Sequence, residues 1–178
     1  MDGDAEAFRF IIKEHKDRAY TLAISVVKDK FAAKEVVQSA FIKAYTKLDS
    51  FRGEAKFSTW LHRIVINEAF KQINAKDRKN EVHEHLPAED LAATTNGTVE
   101  KMDADHRRFY INKALQHLSP KYSLALRLFY LEEYDLKGIT DVTGWSNANV
   151  KVILHRARKA MKDLLTNQFN IDKEALYR

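Results

Sequence analysis

Asp135 to Arg158 reads DLKGITDVTGWSNANVKVILHRAR. Asp135 can cap a short helix from Leu136 to Thr143, and Gly144 fits the left-handed position that ends one. Ser146 can cap a longer helix, in which Val150, Ile153 or Leu154, Ala157, Met161 and Leu164 make one apolar stripe. A short helix, a Gly-Trp-Ser turn and a longer helix form a helix-turn-helix pattern. The second helix offers Asn147, Asn149, Lys151 and His155 on its polar face. Amides there can pair with base edges, and lysine with phosphate or guanine. Between Val150 and Lys162 stand five basic residues and no acid. An ordinary helical hairpin with a wet face would look the same, so the pattern alone leaves DNA binding open.

Upstream, Ser119-Pro120 restarts a helix that carries Leu124, Leu128 and Phe129 inward. Another helical pattern runs from about Ala104 to Leu118. Residues 80–103 lose periodicity; Pro87, Gly97 and six acids suggest an exposed linker, longer than an ordinary connection. Fully extended it would reach roughly 80 Å. The first block is helical again. Phe8, Ile12, Ala19, Leu22, Ala23 and Val26 recur at three- and four-residue steps. Asp29 can cap a second helix with Ala33, Val37, Ala40, Phe41, Ala44 and Leu48 on one stripe. A loop marked by Gly53 leads to a third helix, capped by Ser58 or Thr59, with Leu61, Ile64 and Val65 inward. No strand is expected. The fold class is all-α: two small helical domains, 1–80 and 104–178, joined by a flexible acidic linker at 81–103.

Composition narrows the function. The chain has 178 residues, no Cys, 5 Gly and 2 Pro. Disulfides, thiolate metal sites and cysteine nucleophiles are excluded, and Gly-rich phosphate loops disfavoured. No apolar run approaches a membrane span, and the acidic start does not look like a signal peptide. The expectation is a soluble, cytoplasmic protein. Net charge is +5, distributed as +5 over 1–80, −5 over 81–103 and +5 over 104–178. Two basic blocks flanking an acidic one favour a polyanion partner.

Arg63, Asn67 and Lys71 lie four apart on one face of the third helix. Beside them, the Phe51, Phe57 and Trp60 rings could stack on a nucleic-acid strand, or simply belong to the core. His83-Glu84-His85 has too few ligands for a metal site and reads as solvated linker. No paired catalytic acids or nucleophile motif occurs, so no catalytic residue, metal, cofactor or small-molecule substrate is expected.

Two longer runs carry a resemblance. Glu35-Val36-Val37-Gln38-Ser39-Ala40-Phe41, followed by Phe51 to Asn67 (FRGEAKFSTWLHRIVIN), resembles region two of extracytoplasmic-function (ECF) sigma factors. Leu118-Ser119-Pro120 and Val150-Lys151 with His155-Arg156-Ala157-Arg158 resemble their region four. The resemblance implies a bacterial transcription initiation factor that binds core RNA polymerase and promoter DNA, both duplex and melted non-template strand, and is controlled by an anti-sigma factor. It places Glu35, Gln38 and Phe41 on the helix that docks polymerase. It places Phe51, Phe57, Arg63, Asn67 and Lys71 at the minus-ten element, with a flipped base held by the 50–57 loop. Asn147, Asn149, Lys151, Val152, His155 and Arg158 fall at the minus-thirty-five element.

The chain departs from that pattern at several positions. Glu35 replaces the usual Asp, Ser39 an acid, Lys71 an Asp, Asn74 an Arg, Gly138-Ile139-Thr140 a Glu-Ile-Ala, and Ile153 an Arg. The last change removes an expected phosphate contact. A stand-alone helix-turn-helix regulator is the competing reading, and a helical interaction module without nucleic acid a third.

Overall fold

A computed structural model describes residues 2–80 and 104–169. The expected linker, with Pro87, Gly97 and His83-Glu84-His85, lies outside the described residues. Within them every regular element is a helix, and none is long and apolar enough to cross a membrane.

The first block is a bundle of α1 (Asp2–Val27), α2 (Lys30–Thr46) and α3 (Phe57–Asn80). Lys28, at φ 62°, ends α1 in the left-handed region, and its N–H donates to the Ile24 carbonyl. One residue later the Asp29 carboxylate accepts from the Ala32 N–H at 2.7 Å and starts α2. A reversal of two residues therefore makes α1 and α2 neighbours. Ala33, Ala40 and Ala44 are fully buried on α2. Such small side chains let helices approach closely while Leu22, Val26, Leu61 and Val65 fill the space between them.

The second block holds α4 (Ala104–His117), α5 (Pro120–Tyr130), α6 (Leu136–Thr143) and α7 (Asn147–Asp163). Asp135 caps α6 through the Gly138 N–H at 2.7 Å, Gly144 ends it at φ 73°, and Ser146 caps α7 through the Asn149 N–H. Leu124, Leu128, Ile139, Val142, Val150 and Leu154 close the core beneath the turn. Beyond α7, a wide turn at Leu164–Gln168 carries Leu165 onto Ala114 of α4.

Several local expectations shift. α3 begins at Phe57, before Ser58 and Thr59, so neither is its cap. Ser119 makes no side-chain cap; Pro120 alone marks the start of α5. On α2 the deeper residue is Val36, with Val37 only half-buried, and Leu48 lies beyond the helix in a short 3-10 turn, Leu48–Ser50. The largest difference concerns α3. Leu61 and Val65 face inward as expected, but His62, Ile66 and Ala69 are buried as well, whereas Ile64 is not fully so. One stripe cannot cover all of these; α3 has two buried sides, because α6 packs on it while α5 packs on α1. The two blocks share one continuous core.

Candidate nucleic-acid and polymerase interface

Arg63, Asn67 and Lys71 are all exposed on α3, and the four-residue spacing aligns them along one edge. At the start of that edge Phe51, Phe57 and Trp60 form a triangle of rings. Centroids lie 5.5 Å apart for Phe51–Phe57, 5.3 Å for Phe51–Trp60 and 5.4 Å for Phe57–Trp60. All three are half-buried, and His15 of α1 lies 5.6 Å from Phe57. The rings satisfy one another and still present a partly open aromatic surface next to the basic edge. Gly53, at φ 72°, turns the loop that carries Phe51.

Behind that edge a polar lattice ties α3 to α2. Glu68 accepts from Ser39 Oγ at 3.0 Å and pairs with the Lys43 ammonium; Gln72 donates to Glu35 at 2.9 Å. Burial pushes the Glu68 carboxyl toward its neutral form. Hydrogen bonds from Lys43 and Ser39, with the charges of Lys43 and Lys71, outweigh that and hold it below its ordinary range. The departures at Ser39 and Lys71 acquire a local reason here, since an acid at either place would face the Glu68 carboxylate.

On the other side of α2, Gln38 and Phe41 line an open groove of about 720 Å³ between α1 and α2. Gln38 is exposed, but Phe41 is buried, its ring edge-on to Phe8 at 6.4 Å. Phe41 thus forms the floor of the groove rather than its rim, in keeping with its place on the inward stripe of α2. Sequence reading missed Ile42 and Tyr45, which are exposed at 57% and 47%. Their signal was available: both are apolar residues lying off the buried stripe of α2.

On α7, Asn147, Asn149, Lys151, Val152 and His155 are exposed along the first two turns, with the core-facing Val150, Ile153 and Leu154 behind them. Ile153 is buried, so the position expected to lack a phosphate contact is a core position in this fold. Arg158 is positioned by aromatic neighbours. Its Nε donates to the Tyr130 hydroxyl at 2.8 Å, and its guanidinium lies over the Phe129 and Tyr130 rings at 5.5 and 5.7 Å. A guanidinium has five N–H donors, so this contact leaves others for phosphate.

Sequence reading also missed what lies between the blocks. His62 Nδ1 and the Tyr134 hydroxyl are 2.8 Å apart, Phe70 and Trp145 meet edge to face at 6.3 Å, and Arg18 approaches Glu132 at 3.9 Å. Lys28 Nζ donates to the Leu115 carbonyl at 2.6 Å, in the last turn of α4, where a cation suits the helix dipole. These pairs lie too far apart in sequence for any periodicity to reveal them. Burial, then the nearby charges of His15 and Arg18, lowers the His62 pKa to about 4. Burial, then Arg127, lowers that of Lys28 to about 8.

The structure thus has two helical blocks, each exposing a polar and basic helix edge. Residues 11–79 match the family Sigma-70 region 2, and residues 108–161 match Sigma-70, region 4. The chain is 31% identical over 175 residues to the ECF RNA polymerase sigma factor SigW of Bacillus subtilis, covering 92% of this chain and 91% of that protein. It is 29% identical over 170 residues to the RNA polymerase sigma-H factor of Pseudomonas aeruginosa, covering 92% and 88%. The fold matches the sigma factor RpoE of Bartonella quintana, solved in complex with the anti-sigma factor NepR, with a TM-score of 0.70 at 22% identity over 91% of this chain and 98% of that one. It also matches CnrH, solved with the cytosolic domain of CnrY, at a TM-score of 0.61 and 20% identity, covering 92% and 90%. The chain belongs to the ECF sigma factors of the sigma-70 family, which are transcription initiation factors.

Proposed function

We propose that this chain binds core RNA polymerase in the cytoplasm, directs it to promoters with minus-ten and minus-thirty-five elements, and promotes strand opening, without itself catalysing a reaction. The observation that carries this reading is the pair of exposed polar and basic edges, one on α3 and one on α7, in a chain that matches both sigma regions in order. Residues 1–80 form the polymerase-binding and minus-ten block, 104–178 the minus-thirty-five block, and 81–103 the tether.

On α2, Glu35 and Gln38 meet the polymerase with Phe41 beneath them. Phe51 and Phe57 flank an unpaired base of the non-template strand, Arg63 and Asn67 contact base edges, and Lys71 meets phosphate. On α7, Asn147, Asn149 and His155 face base edges in the major groove, Val152 offers apolar contact, and Lys151 and Arg158 meet phosphates. An anti-sigma factor as inhibitor is supported by the structural relative RpoE, seen with the anti-sigma factor NepR.

Run-off transcription with core polymerase, with and without this chain, tests the reading. Promoter-dependent transcripts are expected only when both are present. Tight, sequence-specific duplex binding without polymerase, and no transcripts with it, would replace this reading by that of a stand-alone regulator.

A further inference from the structure

The two promoter elements are about two helical turns apart, ~70 Å at ~34–36 Å per turn. A compact chain of this length has a radius of gyration of about 16 Å. Blocks that share a core cannot stand at both elements, so the packed arrangement is a closed state that must open.

The seam that closes it is built unusually. Most of its polar groups are basic: Lys28, Arg127, Arg18, His15 and His62 stand against Glu132. Arg127 Nε and His62 Nε2 are buried and have no hydrogen-bond partner among the described residues. His62 itself is 2% exposed. As a neutral ring it has Nδ1 against the Tyr134 hydroxyl and leaves only an uncharged Nε2 without a partner among the described residues. As an imidazolium it carries N–H on both nitrogens and a positive charge, with no acceptor for Nε2 among the described residues, in a pocket that already faces His15 and Arg18 of α1. Thr59 on the same helix hydrogen-bonds Tyr134, and Glu132, close to Tyr134, feels the charges of Arg18 and Arg127.

Gly138 makes the Tyr134 contact possible. A Cβ on Gly138 would lie 2.6 Å from Tyr134 Cδ1 and 3.1 Å from the Asp135 carboxylate. Any side chain there would push the ring off its seat.

We infer that the His62–Tyr134 contact is a proton-sensitive latch: neutral His62 holds the two blocks closed, and protonation of His62 releases them. The closure is a property of the chain alone; only its consequence, an inactive closed factor, rests on the promoter-specificity reading. The sign follows from burial. A histidine that binds protons less readily in the closed state stabilises closure at high pH, and the contribution is lost as pH falls from 6.5 toward 4. Between pH 7 and 5 the ratio of closed to open chain should fall by up to about twentyfold from this group. Glu132 works the other way. Burial raises its pKa, so it takes up protons more readily in the closed seam and opposes the fall.

The chain has no Cys, so dyes can be placed at Lys47→Cys and Lys121→Cys, both exposed positions, one in each block. Energy transfer is read at pH 7 and 5 on the full chain without polymerase, with far-ultraviolet circular dichroism confirming that helix is retained. Four versions are compared: wild type, Tyr134→Phe, His62→Asn and Gly138→Ala. Tyr134→Phe weakens the latch and brings opening into readable range. High transfer at pH 7, a fall at pH 5 in wild type or Tyr134→Phe, and no fall in His62→Asn are expected. Gly138→Ala should give low transfer at both values. An equal fall in His62→Asn, no response in either wild type or Tyr134→Phe, low wild-type transfer at pH 7, or helix lost together with transfer would each overturn the latch. Run-off transcription keeps the two readings apart: a chain that opens on cue but never initiates refutes the sigma function alone, and one that initiates without a proton response refutes the latch alone.

Discussion

The two helices that carry the expected DNA contacts, α3 and α7, differ in what stands behind them. α7 leans mainly on α5, α6 and its own closing turn, so its outer edge should depend little on where the first block lies. α3 is shared. Leu61 and Val65 anchor it in its own bundle, while His62 and Phe70 anchor it to the second block. Changes on α7 should therefore act locally, and changes on α3 should also alter the relation between blocks.

The sharpest test of that asymmetry is stability. Leu61 and Leu154 are both buried, one on each helix. Truncating a buried leucine to alanine costs ~2–5 kcal/mol. Leu61→Ala should lower the urea midpoint and reduce amide-exchange protection in both blocks. Leu154→Ala should cost a similar amount but reduce protection mainly in residues 104–169. Equal, confined effects from both variants would show that α3 is no more shared than α7.

Strand opening comes next. Unpairing a base costs a few kcal/mol, which a pocket must recover by stacking and hydrogen bonds. Asn67→Ala and Phe51→Ala are expected to leave polymerase binding near normal and to reduce open-complex formation, read by permanganate footprinting. A pre-melted promoter should restore most of the loss for a pure opening defect and little for a base-reading defect. Normal opening by both variants would assign Phe51 wholly to the ring triangle with Phe57 and Trp60, and Asn67 to a solvated edge.

A smaller effect concerns the lattice behind α3. Glu68 is largely buried and accepts from Ser39 and Lys43. Hydrogen bonds to charged groups contribute ~1.5–3 kcal/mol, so Glu68→Ala should destabilise the first block by about that much. Because its carboxyl is held below its ordinary range, this stabilisation is present above the unfolded value and lost as pH falls through the folded one. Wild type should lose stability in that window; Glu68→Gln should not show this component. An unchanged acid limb in thermal melts of Glu68→Gln would dissociate the lattice from the acid sensitivity of the bundle.

Much of this was legible in the sequence because it is local. The caps at Asp29, Asp135 and Ser146 and the stop at Gly144 each depend on a few consecutive residues. The exposed residues of α7 follow from helical spacing once Val150 and Leu154 are placed inward. The second buried side of α3 was not legible. His62 meets a partner 72 residues away, and a histidine between Leu61 and Arg63 carries no periodic signal that it is core. Phe41 was legible as part of the inward stripe of α2, but its ring partner Phe8 on α1 was not, because the two lie on different helices.

The smallest expected effect separates two residues two positions apart on α7. Lys151 and Asn149 are both exposed, but their chemistry predicts different failures. An ammonium that meets a phosphate displaces a condensed counterion, so its loss weakens all sequences about equally and reduces the slope of log K against log salt by roughly one unit. An amide that meets an adenine edge carries sequence information, worth ~1–3 kcal/mol between right and wrong bases, and little salt dependence. Lys151→Ala should therefore lower the salt slope of holoenzyme binding at the upstream element while leaving the preferred bases unchanged in a randomised library. Asn149→Ala should leave the slope and flatten the preference at one position. Because α7 is backed mainly by its own block, neither variant should alter the energy transfer between blocks. A changed transfer in either one would mean that the recognition helix, like α3, senses closure, and the contrast between the two helices would then fail.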